Sequence, residues 1–228
     1  MEIPRLRKRL MAIAELVRPG KKIADIGTDH ANLPVYLVKM GISPGGVAGD
    51  IYPLPLERAR ATIEAYGTAD VLTPVLGDGL REIGPEQADD IIIAGMGFDL
   101  ITRIVEETPW LRDGDKHLIL QPMTGVPQVR QYLLGAGFSI EHEVPVTENG
   151  HSYAIISAYY TGEKRACTPL FAQVGLIPTA TDMAERKAYL QRQARRLRTI
   201  ANGLAKGRAG GEDAKGLHAL AEEIEALI

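Results

Sequence analysis

"FSIEHEVPVTENGHSYAIISAYY", residues 138–160, reads as two apolar strands, 138–146 and 152–160, on either side of "TENGH", with Asn149-Gly150 as the turn signal of an antiparallel hairpin. Upstream of it the chain alternates strand-like and helix-like segments. Strands are expected near 22–27, 45–50, 71–76, 89–95 and 116–121, and helices near 32–40, 55–66, 98–107 and 127–136. "DIIIA" (90–94) and "HLILQ" (117–121) are continuous apolar runs, as strands buried on both faces of a parallel sheet require. The expectation is an α/β domain built from right-handed βαβ units, mostly parallel, with a terminal antiparallel hairpin. Ahead of it, Leu6, Leu10, Ile13 and Val17 form the apolar stripe of an N-terminal amphipathic helix. Behind it, "EKRACTP" (163–169) reads as a linker. Residues 182–205 have helical spacing (Met183, Leu190, Leu197, Ile200, Leu204), "KGRAGGEDAKG" (206–216) breaks that helix, and 217–228 form a short terminal one. Domain limits at 1–163 and 164–228 follow.

The 228 residues suffice for one domain with a sizeable core and a small appendage. One cysteine, Cys167, rules out an intramolecular disulfide and a CxxC zinc pair, which suits a reducing cytoplasm. His117, His142, His151 and His218 are scattered without metal-ligand spacing, so no metal is expected. No run approaches the ~20 apolar residues of a membrane span. Net charge is −3, but unevenly placed: Arg186 to Arg208 holds eight Lys or Arg and no acid, whereas the charged residues of 82–99 are all acidic.

Ligands in open α/β sheets bind at the carboxyl ends of the strands. Here those ends read Asp25-Ile26-Gly27, Gly49-Asp50, Gly77-Asp78-Gly79 and Ala94-Gly95-Met96-Gly97. The glycines can serve only tight turns and the acids only helix caps. Four ends carrying acid or glycine in register favour a nucleoside site, with Asp50 placed for ribose hydroxyls and "GDG" for a flat ring. "ADIGTDHANLP" (24–34) puts Asp29 and His30 where a pyrophosphate-binding loop has small residues, which disfavours a dinucleotide. S-adenosylmethionine carries no phosphate and has a positive sulfonium and amine, which carboxylates suit.

A doubly wound sheet closed by a hairpin is the Rossmann-like class I methyltransferase arrangement. Together "RLRKRLMAIAELV", "ADIGTDHANLPVYLV", "LGDGL", "IIIAGMG", "LILQPM" and the "GFSI" hairpin resemble, in order across residues 5–160, the bacterial tRNA methyltransferases that modify N1 of adenine 22 in the D-loop. The resemblance implies this fold with a small C-terminal helical extension, S-adenosylmethionine as cofactor and tRNA as partner. It places the functional carboxylate at Asp29, and cofactor contacts at Asp25, Gly27, His30, Asp50, Ile51, Gly77, Asp78, Gly79, Ala94, Gly95 and Met96. Two departures stand out: Phe98 replaces the last glycine of AGMGG, and "IYPLP" after Asp50 lacks a further acid and glycine.

A carboxylate at 29 accepting a hydrogen bond from N6 of adenine would raise the nucleophilicity of N1 and stabilise the cationic product. His30 would either line the pocket or fix Asp29. Phe98, Tyr36 and Tyr52 are candidate stacking faces, and Gln121 with Pro122 a candidate base contact. Arg5, Lys8 and Arg9, and the helix carrying Arg192, Arg195 and Arg196, are candidate phosphate contacts, and a monomer is expected. Other readings are a class I methyltransferase acting on another RNA, a protein or a small molecule, or a non-catalytic S-adenosylmethionine- and RNA-binding module.

Overall fold

A computed structural model describes residues 2–205 and 211–228. Its centre is a seven-stranded sheet: β1 (Ile23–Ile26), β2 (Gly46–Asp50), β3 (Leu72–Leu76), β4 (Asp90–Gly97), β5 (His117–Thr124), β6 (Phe138–Glu148) and β7 (His151–Tyr160). The spatial order is β3-β2-β1-β4-β5-β7-β6. The first five strands run parallel and β7 is antiparallel to both β5 and β6. The order reverses between β1 and β4, so that gap is the topological switch point. The hairpin closes as expected, Glu148 pairing with His151 around Asn149 (φ 51°) and Gly150 (φ 75°).

The helices on this sheet are α1 (Lys8–Ala14), α2 (Asn32–Lys39), α3 (Pro53–Ala65), α4 (Phe98–Glu106) and α5 (Val126–Ala136). The apolar runs are continuous because successive side chains enter different cores. Ile91, Ile93, Leu118 and Leu120 pack with Ile101, Ile104 and Val105 of α4 and Val129 and Leu133 of α5. Ile92 and Ile119 face the other way, onto Ile13, Leu33 and Leu37 of α1 and α2. Helix α1 is shorter than its stripe suggests: Leu6 precedes it and Val17 follows it, yet both join that second core.

The C-terminal part contains α6 (Pro169–Val174), which the sequence pattern did not show, then α7 (Met183–Leu204) and α8 (Gly211–Glu225). The break expected at 206–216 is corrected in part: 211–216 are helical, and 206–210 lie outside the described residues. The buried stripe of α7 also differs from the expected one. Tyr189, Leu190, Ala194, Leu197 and Ala201 are buried, while Met183, Ile200 and Leu204 are exposed, because the alanines admit close packing against Ala221 and Ile224 of α8.

The 163/164 boundary is bridged by a buried network. Arg130 of α5, fully inaccessible, donates from Nε to Glu143 of β6 at 2.8 Å, from Nη1 to the carbonyls of Ala172 and Gln173, and from Nη2 to the Tyr189 hydroxyl. Lys8 of α1 pairs with Glu185 of α7. Among the described residues no helix is long and apolar enough to cross a membrane.

Candidate active site

β3, β2, β1 and β4 are consecutive neighbours, so the four strand ends singled out from the sequence form one continuous edge. Where β1 meets α2, residues 27–31 turn sharply. Gly27 (φ 80°) and Thr28 both donate to the Gly49 carbonyl, at 2.8 and 3.1 Å, and Thr28 Oγ1 accepts from Ala31 N–H. The backbone angle is what requires glycine at 27; the Met96 methyl lies over it, 2.5 Å from where a Cβ would be.

The turn borders a cleft of about 440 Å³ lined by Arg5, Arg7, Arg9, Asp25, Gly27, Asp29, His30 and Ala94, among others. Asp25 is 8% exposed and forms no ion pair among the described residues. Burial pushes its carboxyl up to about 6, against a hydrogen bond from Thr28, with Asp50 adding repulsion. Asp50, also buried, accepts from Tyr52 N–H at 2.8 Å, and its carbonyl accepts from Gly77 N–H.

Asp29 lies at the mouth of the cleft, 60% exposed, with Oδ2 3.3 Å from His30 Nε2 and Oδ1 accepting from Arg58 Nη1 at 3.2 Å. His30 lines the cleft and also stands beside Asp29, so its position meets both roles open to it. Arg58, one turn into α3, had no local signal in the sequence. Ile51 and Tyr52 are exposed beside the β2 end, as cofactor or base contacts need, whereas Tyr36 is packed into the α1–α2 core.

Several candidates sit differently from their expected roles. Asp78 is engaged by Arg103 at 2.7 Å and Arg81 at 3.3 Å, and these cations hold its carboxyl below the usual range. Gly79 serves packing rather than ring approach, since a Cβ there would meet Ile104 at 2.9 Å. Gln121 is fully buried and Pro122 is buried beside it, so neither presents an edge to a base. Gln121 accepts from Gly95 N–H and from Arg9. Phe98 is half-buried against the main core, and its Cβ lies 2.5 Å from where a Cβ on Gly125 would be. It fills space at the start of α4 in place of a glycine.

The hairpin turn lies at the same edge as the cleft, because β7 runs antiparallel to β5 and begins beyond its carboxyl end. Arg192 of α7 donates to the Gly150 carbonyl at that tip, while Arg195 and Arg196 remain exposed on the same helix. Arg198 is paired with Glu225 of α8. Cys167 is half-buried, and burial pushes its thiol up, away from reactivity. At the opposite end of the sheet His117 bridges Asp90 (3.3 Å) and Ser157 (2.8 Å). Ser157 and His117, each 2% exposed, line a separate cavity of about 570 Å³, and this Asp-His-Ser chain ties β4, β5 and β7 together. Among the described residues no group of three or more His, Cys, Asp or Glu could hold a metal ion.

A family model described as a methyltransferase domain matches residues 6–156. The chain is 37% identical over 154 residues, 68% of its length, to a Bacillus subtilis tRNA (adenine(22)-N(1))-methyltransferase. The match spans 65% of that curated relative, a little under two thirds of its length. The B. subtilis m1A22 tRNA methyltransferase structure superposes with a TM-score of 0.80 at 29% identity, covering 98% of this chain and 97% of that one. A Streptococcus pneumoniae protein provisionally assigned to the same tRNA modification, solved with S-adenosyl-L-methionine, gives 0.83 at 27% identity, covering 96% and 99%.

Proposed function

This chain belongs to the methyltransferase-domain family, and from that premise we propose that it transfers a methyl group from S-adenosylmethionine to N1 of adenine 22 in the D-loop of tRNA. The observation that carries the reading is the convergence of a buried, cation-free Asp25, an exposed, oriented Asp29 and the Gly27–Met96 contact around one cleft at the switch point. The residues fit the cofactor: Asp25 lacks the positive partner that its ammonium provides, Asp50 stands at the β2 end for the ribose, and Ile51 offers an apolar wall. Held there by Asp25, Asp50 and Ile51, S-adenosylmethionine would supply the sulfonium methyl that adenine N1 takes, with a neutral thioether as the leaving group.

The chain's residues act on the adenine. Its ring becomes cationic over N1 and N6, and Asp29 accepts the N6–H hydrogen bond that strengthens as this charge grows. His30 and Arg58 hold the carboxylate in place. The neutral N1 carries no proton, so no base is needed to expose its lone pair. A stacked or paired adenine must be extruded to reach the cleft, at a cost of a few kcal/mol that backbone contacts offset. Arg5, Arg7, Arg195 and Arg196, exposed at or near the same edge, are placed to supply them. Residues 1–163 then form the cofactor-binding methyltransferase unit, and 164–228 the extension that carries much of the basic surface.

The test is transfer of labelled methyl from S-adenosylmethionine to unmodified tRNA, with mass-spectrometric identification of the nucleoside, for wild type and Asp29→Ala. The reading expects 1-methyladenosine from wild type at position 22 and its loss in the variant. Cofactor binding with no transfer to tRNA would refute it.

A further inference from the structure

The cavity of about 570 Å³ that His117 and Ser157 line lies at the amino ends of β4 and β5, the end of the sheet away from the cleft. Its size is that of a small-molecule site, commonly roughly 300–1,000 Å³. Three parts of the chain wall it: the segment 15–19 after α1, the sheet itself, and the segment 176–182 that leads into α7. It therefore lies between the methyltransferase sheet and the C-terminal extension.

The inner wall is a set of hydrogen-bond acceptors. Burial alone would raise the Asp90 carboxyl, but hydrogen bonds from His117 and Arg18 hold it below the usual range. An ionised Asp90 can only accept, so His117 donates to it from Nδ1, and the neutral ring accepts at Nε2 from Ser157 at 2.8 Å. That bond takes the only proton of the Ser157 hydroxyl. Nothing among the described residues donates to its oxygen, which is left as a buried acceptor on the cavity wall.

The outer wall adds charge. In β6 Ile140 pairs with Ala158 and His142 with Ser157, so Glu141 is the extra residue of a bulge. Neighbours in a regular strand point to opposite faces, whereas here Glu141 and His142 both line the cavity. The exposed carboxylates of Glu141, Glu15 and Asp182 form no ion pair among the described residues. Arg18 is the one Lys or Arg on the wall, and its Nε and Nη2 are turned to Asp90 and to the carbonyls of Asp89 and Asp115. Leu16, Val17, Val144 and Leu176 supply aliphatic surface between these groups. Acceptors and uncompensated carboxylates interleaved with aliphatic patches complement amine nitrogens joined by methylenes. They repel an anion, and among the described residues no group of three or more His, Cys, Asp or Glu could hold a metal ion.

We propose that this cavity binds a linear aliphatic polyamine, with the Ser157 oxygen accepting from a nitrogen at the buried end and Glu15, Glu141 and Asp182 pairing with those nearer the mouth. Its walls come from both the sheet and the segment 176–182, so an occupant fastens the extension to the methyltransferase unit.

Calorimetric titration of the RNA-free protein with spermidine at physiological ionic strength tests it. Wild type should bind one equivalent, and spermidine at 100 times Kd should raise Tm by about 5 °C or more. Glu15→Gln combined with Glu141→Gln should weaken binding about 10-fold or more, and Ser157→Ala about 3-fold or more with every carboxylate intact. Glu222→Gln combined with Glu223→Gln, on α8 outside the cavity, should leave affinity within about 2-fold. Should Ser157→Ala fail to fold, the exposed Glu15 and Glu141 still decide the question. Absence of saturable binding, an affinity unchanged by Glu15→Gln with Glu141→Gln, or equal losses in the cavity and α8 variants overturns the proposal. So does full displacement of spermidine by Mg²⁺ at matched ionic strength, since the attraction would then be one of diffuse charge.

Discussion

Replacing Asp25 by Asn should make the ligand-free protein more stable while removing its affinity for cofactor. Asp25 is buried and near Asp50 with no cation to balance it, and its carboxyl rises from 3.8 to about 6. A shift of that size means the ionised form is disfavoured in the fold by roughly 3 kcal/mol relative to the unfolded chain. Between pH 4 and 6 the native state keeps a proton that the unfolded state has released, so Asp25 stabilises progressively less as pH rises, and its full cost applies above pH 6. Asparagine does not titrate. Urea unfolding of ligand-free wild type and Asp25→Asn should therefore give similar stabilities near pH 4, diverge up to pH 6 and differ by roughly 3 kcal/mol in favour of the variant at pH 8. For a chain of this size that is about 6–12 °C in Tm. Isothermal titration of the same samples should show S-adenosylhomocysteine binding lost. A variant less stable than wild type at pH 8, or a difference that does not vary with pH, would refute the reasoning.

Three further outcomes are expected. Asp29→Asn should lower kcat by about 100-fold or more with little change in cofactor affinity, because a neutral amide offers the N6 group a weaker acceptor; single-turnover methyl transfer and calorimetry separate the two effects. Arg130→Met should destabilise by about 3–5 kcal/mol, seen as a lower urea midpoint, since Glu143 would remain buried without its partner and the Ala172 and Gln173 carbonyls without a donor. Replacing both Arg195 and Arg196 by Ala should raise KM for tRNA and reduce the slope of log affinity against log salt by about 1–2, with cofactor binding unchanged, in filter-binding assays from low to physiological salt.

The fold was legible because its signals are local. Alternating faces of "DIIIA" and "HLILQ" required a sheet buried on both sides, and Asn149-Gly150 required an antiparallel close. The edge where the acids and glycines of β3, β2, β1 and β4 meet was legible because they stand at the ends of strand-like segments that turn out to be neighbours. Pairings across long separations were not. Arg58 reaching Asp29, Arg103 occupying Asp78 and Arg9 reaching Gln121 join positions between 25 and 112 residues apart, which type and spacing alone do not show. The α7 stripe was read correctly at Leu190 and Leu197 and wrongly at Met183, Ile200 and Leu204, because Tyr189 and Ala194 complete the buried seam against α8.

The two buried carboxylates at 25 and 143 separate binding from architecture. Glu143 accepts from Arg130 and from Leu176 N–H, so its neighbourhood is complete within the chain and joins α5, β6 and the C-terminal helices. Burial raises both carboxyls, but whereas Glu143 has Arg130, Asp25 has no ion-pair partner among the described residues. Selection for stability alone would replace it with a neutral residue. The Asp25 carboxyl lines the cleft at the carboxyl end of β1, where a group from outside the chain can reach it.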